Sequence, residues 1–398
     1  MDASRIKISG PLAPHVEPLW SMLAAQGYTA LSIANVARVM AHLSRWLVRE
    51  RLPLANLTTH DLDRFLRHRR RAGYTCWLTT RGVSPILDYL RGVGVAPAAD
   101  ERPAGIPTAI DGVLDTYRDY LHRERGLSLS TAAFYERMAR LCLPRDGDVR
   151  SLSTATVTAF IVKASRTDSV AYTKYKVSAL RCLLRYLYVR GDLAENLATA
   201  IPAVAGWRLT SVPRDVHPDV LGQLLRDSAH PTVVRRRARA AVLLMARLGL
   251  RAGEVTSLQL EDLNWATGEV LIRGKGQSLD RLPLPADVGT ALAAYVRHRP
   301  PQTATRAVFL RVRAPHGALS SSGLKSLVRA ACRRAGVPEI GTHRLRHTAA
   351  TQMLRHGASL TEIAQVLRHR HVDTTAIYAK VDRVALRQLT QPWPGGEV

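Results

Sequence analysis

Two proline-rich breaks constrain this chain more than any other feature. Ala96-Pro97-Ala98-Ala99-Asp100-Glu101-Arg102-Pro103-Ala104-Gly105-Ile106-Pro107 is dense in Pro, Ala and Gly, and Gly206 to Pro218 carries Pro213 and Pro218. Such stretches neither continue a helix nor bury a core, so both read as linkers. They divide the 398 residues into segments of roughly 1–100, 108–205 and 214–398. The length agrees with that division, because it exceeds what one ordinary core organises.

The first two segments carry three landmarks in the same order. Gly27-Tyr28-Thr29 opens a helical pattern through Val36, Val39, Met40 and Leu43; Gly126-Leu127-Ser128 opens another through Ala133, Met138 and Leu141. Leu57-Thr58-Thr59 leads to Phe65, as Leu152-Ser153-Thr154 leads to Phe160, each with a hydroxyl placed to cap a short helix and a phenylalanine expected to face inward. Leu87-Asp88-Tyr89-Leu90 runs to Gly94, and Leu184-Arg185-Tyr186-Leu187 to Gly191. Both segments therefore read as small helical bundles, the first a duplicate of the second.

The charge says what they hold. With 57 Lys and Arg against 32 Asp and Glu, the formal net charge is +25, which calls for a polyanionic partner. Arginine dominates that excess; it suits two-donor phosphate contacts, and a GC-rich coding bias would favour it too. Clusters at Arg64, Arg67, Arg69, Arg70 and Arg71, and at Lys163, Arg166, Lys174, Lys176, Arg181 and Arg185, read as phosphate-contacting faces. The residues assigned to nucleic-acid phosphate contact are Arg64, Arg67, Arg70, Lys163, Lys174, Lys176 and Arg181. Four scattered cysteines match no metal spacing and read as reduced thiols. The first residues lack the apolar stretch of a signal peptide, and no apolar run approaches the ~20 residues that span a bilayer. A cytoplasmic protein with no membrane partner is expected.

Chemistry gathers in the last third. An amphipathic helix over 235–249 stops at Gly249 and is followed by Arg251 at a helix junction. The period then changes: Glu269–Arg273 and Leu279–Leu284 alternate as strands around Gly274-Lys275-Gly276, which puts Lys275 beside a β-turn. A helix around Ser322–Ala335 precedes Thr342, the expected N-cap of the next one. On that helix His343 and Arg346 share a face, with His347 close to it. A zinc-protease pair would need Glu where Arg344 stands, so no metal site is assigned. Asp373-Thr374-Thr375 is placed to open a short helix carrying Tyr378.

Arg251, Lys275, His343-x-x-Arg346, His369 and Tyr378, in this order, resemble the tyrosine recombinase (phage integrase-like) family. The matching text is Leu248-Gly249-Leu250-Arg251-Ala252-Gly253-Glu254-Val255, Arg273-Gly274-Lys275-Gly276, Thr342 to Thr351, and Leu367 to Tyr378. One departure is Arg368, where the family usually has glycine before the histidine; another is the extra helical unit at 1–100.

The resemblance implies a mainly α fold: helical bundle DNA-binding domains plus a mostly α-helical catalytic domain with a small antiparallel β-sheet. Segment 1–100 would be an additional helical domain, 108–205 the core-binding domain, and 214–398 the catalytic domain with a C-terminal docking tail. It also implies that Tyr378 attacks a DNA phosphodiester to give a 3′-phosphotyrosine. His343 would serve as general base, Arg251 and Arg346 as phosphate clamps, Lys275 as the proton donor to the leaving oxygen, and His369 as a phosphate contact. Glu254 and His347 would support them. No metal and no cofactor is implied. The tail after Val381 would dock on a neighbouring protomer, or fold back on its own domain. Docking implies a tetramer on two DNA sites, to which a companion recombinase could contribute. The bundles would close around double-stranded DNA opposite the catalytic domain. Transposon, prophage and chromosome or plasmid resolution all fit as the element served. A type IB topoisomerase, a telomere resolvase and a catalytically idle DNA-binding accessory are the alternatives.

Overall fold

In the computed structural model, the described residues are 6–98, 109–144, 146, 148–205, 215–274, 278–299, 305–369 and 374–381. The chain resolves into two compact units, one formed by residues 1–97 with 209–398 and the other by residues 98–208. The fold is mostly helical with one small sheet.

The second unit is a helical bundle of α5 (Ala109–Asp119), α6 (Leu129–Cys142), α7 (Thr154–Thr167) and α8 (Val170–Val189). Its core is Leu114, Tyr117, Leu121, Val157, Ile161, Leu183 and Leu187, with α6 and α7 packed on α8. Hydroxyls start three of the helices: Ser128, Ser153 and Ser169 each accept a backbone N–H in the first turn.

In the first unit, α1 (Val16–Ala25), α2 (Ala30–Arg49), α3 (Thr59–Arg71) and α4 (Thr80–Gly92) enclose a core of their own around Leu43, Trp46, Phe65 and Leu90. The landmarks of the two bundles coincide structurally. Gly27 and Gly126 both take positive φ before a hydroxyl cap, at Thr29 and Ser128. Thr58 and Ser153 each form a reciprocal capping box, and Gly94 and Gly191 both end their bundles at positive φ. Phe65 is buried, but Phe160 only half so. Val157 and Ile161 fill the core position expected of it.

The remainder of the first unit is built on α10 (Val233–Arg247), whose run Ala240 to Ala246 is buried on every side. It contacts α9 (Pro218–Asp227), α11 (Ala252–Ser257), α12 (Ala286–Val296), α13 (Ser321–Arg334) and α14 (Thr342–Arg355). Small alanines on α10 allow that many neighbours to approach closely. The sheet is antiparallel, in the order β1 (Leu263–Asn264), β2 (Glu269–Arg273), β3 (Leu279–Pro283), with Leu271 opposite Arg281. α15 (Leu360–Leu367) and a 3₁₀ turn, Ala376–Val381, complete it. Among the described residues, no helix is long and apolar enough to cross a membrane.

Two expectations about α14 and the Tyr378 turn change. Gly341 caps α14, not Thr342: Gly341 holds the extended cap conformation, and Thr342 is already the first helical residue. Tyr378 lies on a 3₁₀ turn, and the Thr375 hydroxyl is engaged by His369 instead of capping a helix.

Candidate active site

The site begins at the end of α10. Gly249 takes φ +62°, a left-handed conformation, and a Cβ there would stand 2.3 Å from Leu367 Cδ2. Only glycine fits both demands. The turn delivers Arg251 as the N-cap of α11, where the Glu254 carboxylate reaches back to it. Arg251 N donates to Glu254 Oε2 at 2.8 Å and its Nη1 to Oε1 at 2.6 Å.

Arg346 rises from α14 and is 5% exposed. Its guanidinium donates through Nη1 to the Gly249 carbonyl and through Nη2 to the Leu367 carbonyl. These carbonyls end α10 and α15, so the cation sits where two helix dipoles present their negative ends. Burial, with Arg251 nearby, pushes its pKa down to about 10, which leaves it charged at neutral pH. Two strands of chain distant in sequence are thereby held by one guanidinium, whose remaining donors are uncommitted.

The same helix, α14, carries His343 and His347. His347 Nδ1 lies 2.8 Å from the Tyr378 hydroxyl, with the two rings edge-to-face at 5.6 Å. Tyr378 is buried at 1% exposed, among Ala350, Ile363 and Leu367. Burial raises its pKa and Arg346 partly offsets that, so the phenol is neutral in the DNA-free chain. His343, one turn earlier, is exposed and lies outside this hydrogen bond. Burial and then Lys325, Arg346 and Arg251 lower its pKa. Burial and then His343 and Arg346 lower that of His347.

His369 follows α15, its Nδ1 2.7 Å from Thr375 Oγ1. Burial, with Arg346, Arg251 and Arg368, brings its pKa down to about 4. All three histidines are accordingly neutral at pH 7, the state in which each can accept a proton.

The structure thus brings Arg251, Glu254, His343, Arg346, His347, His369 and Tyr378 to one region from α11, α14, the end of α15 and the Tyr378 turn. Lys275 lies outside the described residues, as does the tail from 382 onward. Arg344, on whose identity a metal was excluded, donates to the Asp215 carbonyl at 3.1 Å.

Three contributors escaped the sequence reading. Lys325 on α13 acts on His343 by charge, and Thr375 holds His369. Arg368 takes φ +54°, ψ +50° at the C-cap of α15, a conformation that costs a side-chain-bearing residue about 1–2 kcal/mol. Glycine is the residue that conformation favours. Yet Arg368 turns its guanidinium inward, 2.8 Å from Glu254 Oε2.

The residues assigned to DNA contact divide. Arg67 and Lys163 are exposed, with no side-chain partner among the described residues, and Lys174 is exposed. Arg64 pairs with Glu50 and Asp61 at 3.1 Å each, and Arg70 donates to the Leu78 carbonyl at 2.7 Å. Lys176 pairs with Asp168 at 2.6 Å, and Arg181 donates to the Ile201 carbonyl at 2.9 Å. Arg69, read as part of the same basic face, is instead buried, its guanidinium 4.2 Å from the Tyr74 ring centre.

Comparison with known proteins agrees with this geometry. The phage integrase family matches residues 215–384. An integrase/recombinase of Sinorhizobium fredii, y4rA, is 39% identical over 394 residues, spanning 97% of this chain and 95% of its own. Tyrosine recombinase XerC of Vibrio cholerae is 28% identical over 301 residues, 73% of this chain and 94% of that one. Among solved structures, the XerH site-specific recombinase in its post-cleavage complex with palindromic difH aligns at a TM-score of 0.54 and 19% identity. That alignment covers 82% of this chain and 93% of that one, and it speaks for the fold.

Proposed function

The chain belongs to the phage integrase family of tyrosine recombinases, enzymes that cut and rejoin DNA strands, and from that footing we propose a site-specific recombinase acting through a 3′-phosphotyrosine. The element served is a transposon or prophage, or a chromosome or plasmid in resolution. One observation carries the reading: two arginines, three neutral histidines and a tyrosine converge from four chain segments, with both arginines held by carbonyl or carboxylate partners.

The chemistry follows from those groups. The Tyr378 oxygen attacks phosphorus and expels the 5′-oxygen of the next nucleotide. A 3′-phosphotyrosine and a free 5′-hydroxyl result. The phenolic proton passes to His343, neutral and exposed, once the phenol leaves His347. Arg251 and Arg346 bind the nonbridging oxygens, where preset donors are worth most as charge develops. His369 hydrogen-bonds the same phosphate, and Lys275 returns a proton to the leaving 5′-oxygen. Rejoining reverses these steps with a partner strand's 5′-hydroxyl. The phosphotyrosine keeps the energy of the diester, so no nucleotide is spent.

The three-part division 1–100, 108–205 and 214–398 belongs to this reading, with the first part a copy of the second and both gripping the duplex. The matching caps and glycines of the two bundles support it. Recombination between two sites calls for four protomers, the tail of one seated on the next, and a companion recombinase is compatible with that assembly.

The test is a nicked suicide substrate, cut from the DNA flanking the gene, which traps the covalent intermediate. Wild type should form a protein–DNA adduct resistant to denaturation, and Tyr378→Phe should form none. Adducts from both proteins, or from neither, would refute the assignment. Relaxation of a supercoiled plasmid lacking any site would instead indicate a topoisomerase.

A further inference from the structure

We propose that Arg368 is a positioning residue for strand cleavage: it fixes the phosphate clamp Arg251 through the shared carboxylate of Glu254. The inference rests on the reading of Arg251 as a phosphate ligand.

Three features of Arg368 work against its presence. Its backbone is left-handed, where a Cβ is unfavourable. Its guanidinium is buried, the side chain only 7% exposed. Its Nε has no hydrogen-bond partner among the described residues, and a buried donor without a partner is unfavourable in its own right. A glycine would avoid all three.

What the arginine adds is a closed ring of contacts. Arg368 Nη2 donates to Glu254 Oε2 at 2.8 Å, and Glu254 Oε1 accepts from Arg251 Nη1 at 2.6 Å. Arg251 Nη2 closes the ring on the Arg368 carbonyl at 3.2 Å. A further bond, Arg368 Nη1 to the Val366 carbonyl at 2.7 Å, anchors the arginine to the end of α15. The ring joins the start of α11 to the end of α15, the segment that leads directly to His369. Without the guanidinium, Glu254 would keep only its two bonds to Arg251, to the backbone N–H and to Nη1, and its carboxylate would lose its one tie to the end of α15. With it, the carboxylate plane is set from outside, and the plane of the Arg251 fork is set in turn. Bidentate recognition of a phosphate depends on that plane. The Arg368 side chain is 7% exposed against 40% for that of Arg251, so it acts through Arg251 and not on DNA.

Single-turnover adduct formation on the nicked substrate, at saturating DNA, tests this. Arg368→Gly should slow cleavage about 10–100-fold, the penalty typical of a misplaced catalytic group, while the Kd for DNA stays within about twofold of wild type. Arg368→Lys should recover part of the rate. In a Glu254→Gln background the same Arg368→Gly change should cost much less, because the shared carboxylate is already disabled. Rp and Sp phosphorothioates at the scissile position give the sharpest readout: a mis-aimed Arg251 alters their rate ratio, whereas general loosening slows both alike. An unchanged rate, an unchanged Rp/Sp ratio, or full additivity with Glu254→Gln would overturn the proposal. If wild type itself forms no adduct, the recombinase reading fails first and takes this inference with it. If Arg368→Gly does not fold, Arg368→Lys with the phosphorothioate ratio decides.

Discussion

Gly249→Ala tests how tightly the site is specified by its backbone. The native φ of +62° is left-handed, and an alanine there costs about 1–2 kcal/mol. The added methyl would also sit 2.3 Å from Leu367 Cδ2, well inside contact distance, and Leu367 is fully buried. Overpacking of that kind typically costs a further 1–3 kcal/mol. The sum is a loss of about 2–5 kcal/mol, borne by the part of the chain built on α10. The chain has several cores and need not unfold in one step, so the local measurement is amide hydrogen exchange in α10 and α14. Protection there should drop by the stated free energy, while that of α6 and α8 is unchanged. Leu367→Ala is itself destabilising but opens the space the methyl needs. The double variant should therefore lose about 1–3 kcal/mol less than the sum of the singles, leaving the φ penalty in place. Adduct formation should fall as well, since Gly249 supplies the carbonyl that holds Arg346. If Gly249→Ala leaves protection in α10 intact, or the two changes simply add, the contact does not organise the site.

The remaining expectations concern protons and DNA. The His369 pKa lies at about 4 in the fold against an ordinary 6.5, so the unfolded chain binds more protons between those values. Stability is therefore full above pH 6.5 and declines toward pH 4. The loss attributable to His369 is about 1–2 kcal/mol once solvent screening is allowed for. His369→Asn should flatten that part of a melting-temperature profile, and an identical profile would refute the assignment. His347→Ala strips the buried Tyr378 hydroxyl of its partner and should cost about 1–3 kcal/mol. It should slow adduct formation less than His343→Ala does; the reverse order in single-turnover assays would transfer the base role to His347. Arg67→Ala and Lys163→Ala should each lower the slope of log binding constant against log salt by about 1. Arg64→Ala should in addition destabilise the first bundle, because its guanidinium holds Glu50 and Asp61.

Local periodicity was a sound guide wherever an element is stabilised by its own sequence. The strand expected at Glu269–Arg273 has those bounds, and the helix expected around Ser322–Ala335 spans Ser321–Arg334. Hydroxyl caps at Thr58 and Ser153 could be read because capping is a contact between residues three apart. Gly341 could not, because a glycine cap leaves no side-chain signature. Long-range partnerships were equally hidden. The burial of Arg69 depends on Tyr74 folding over it, and the hydrogen bond from His347 to Tyr378 joins residues 31 apart. The grouping of residues 1–97 with 209–398 crosses an entire intervening unit. Arg368 is the instructive case. In the sequence it is a missing glycine, and only the fold shows that its side chain has a buried carboxylate to meet.

The charge distribution of the site ties these points together. Arg251 and Arg368 share one carboxylate, Glu254, while Arg346 is held by two carbonyls, so the cluster holds more positive than negative charge. Burial, then Lys325 and the arginines, depress the pKa of His343; burial and then the arginines depress that of His369, and burial with His343 and Arg346 that of His347. The same burial and positive charge lower the Arg346 pKa to about 10, still leaving it charged at neutral pH, while they keep the candidate bases unprotonated. Neither property could be arranged independently, since adding carboxylates to relieve the repulsion would raise the histidines and compete with phosphate for the arginines. A phosphodiester entering the site supplies the missing negative charge, and it does so where Arg251 and Arg346 retain uncommitted donors. Under the proposed function, the site is an arrangement whose electrostatic complement is the phosphodiester, which is what preorganisation for phosphoryl transfer requires.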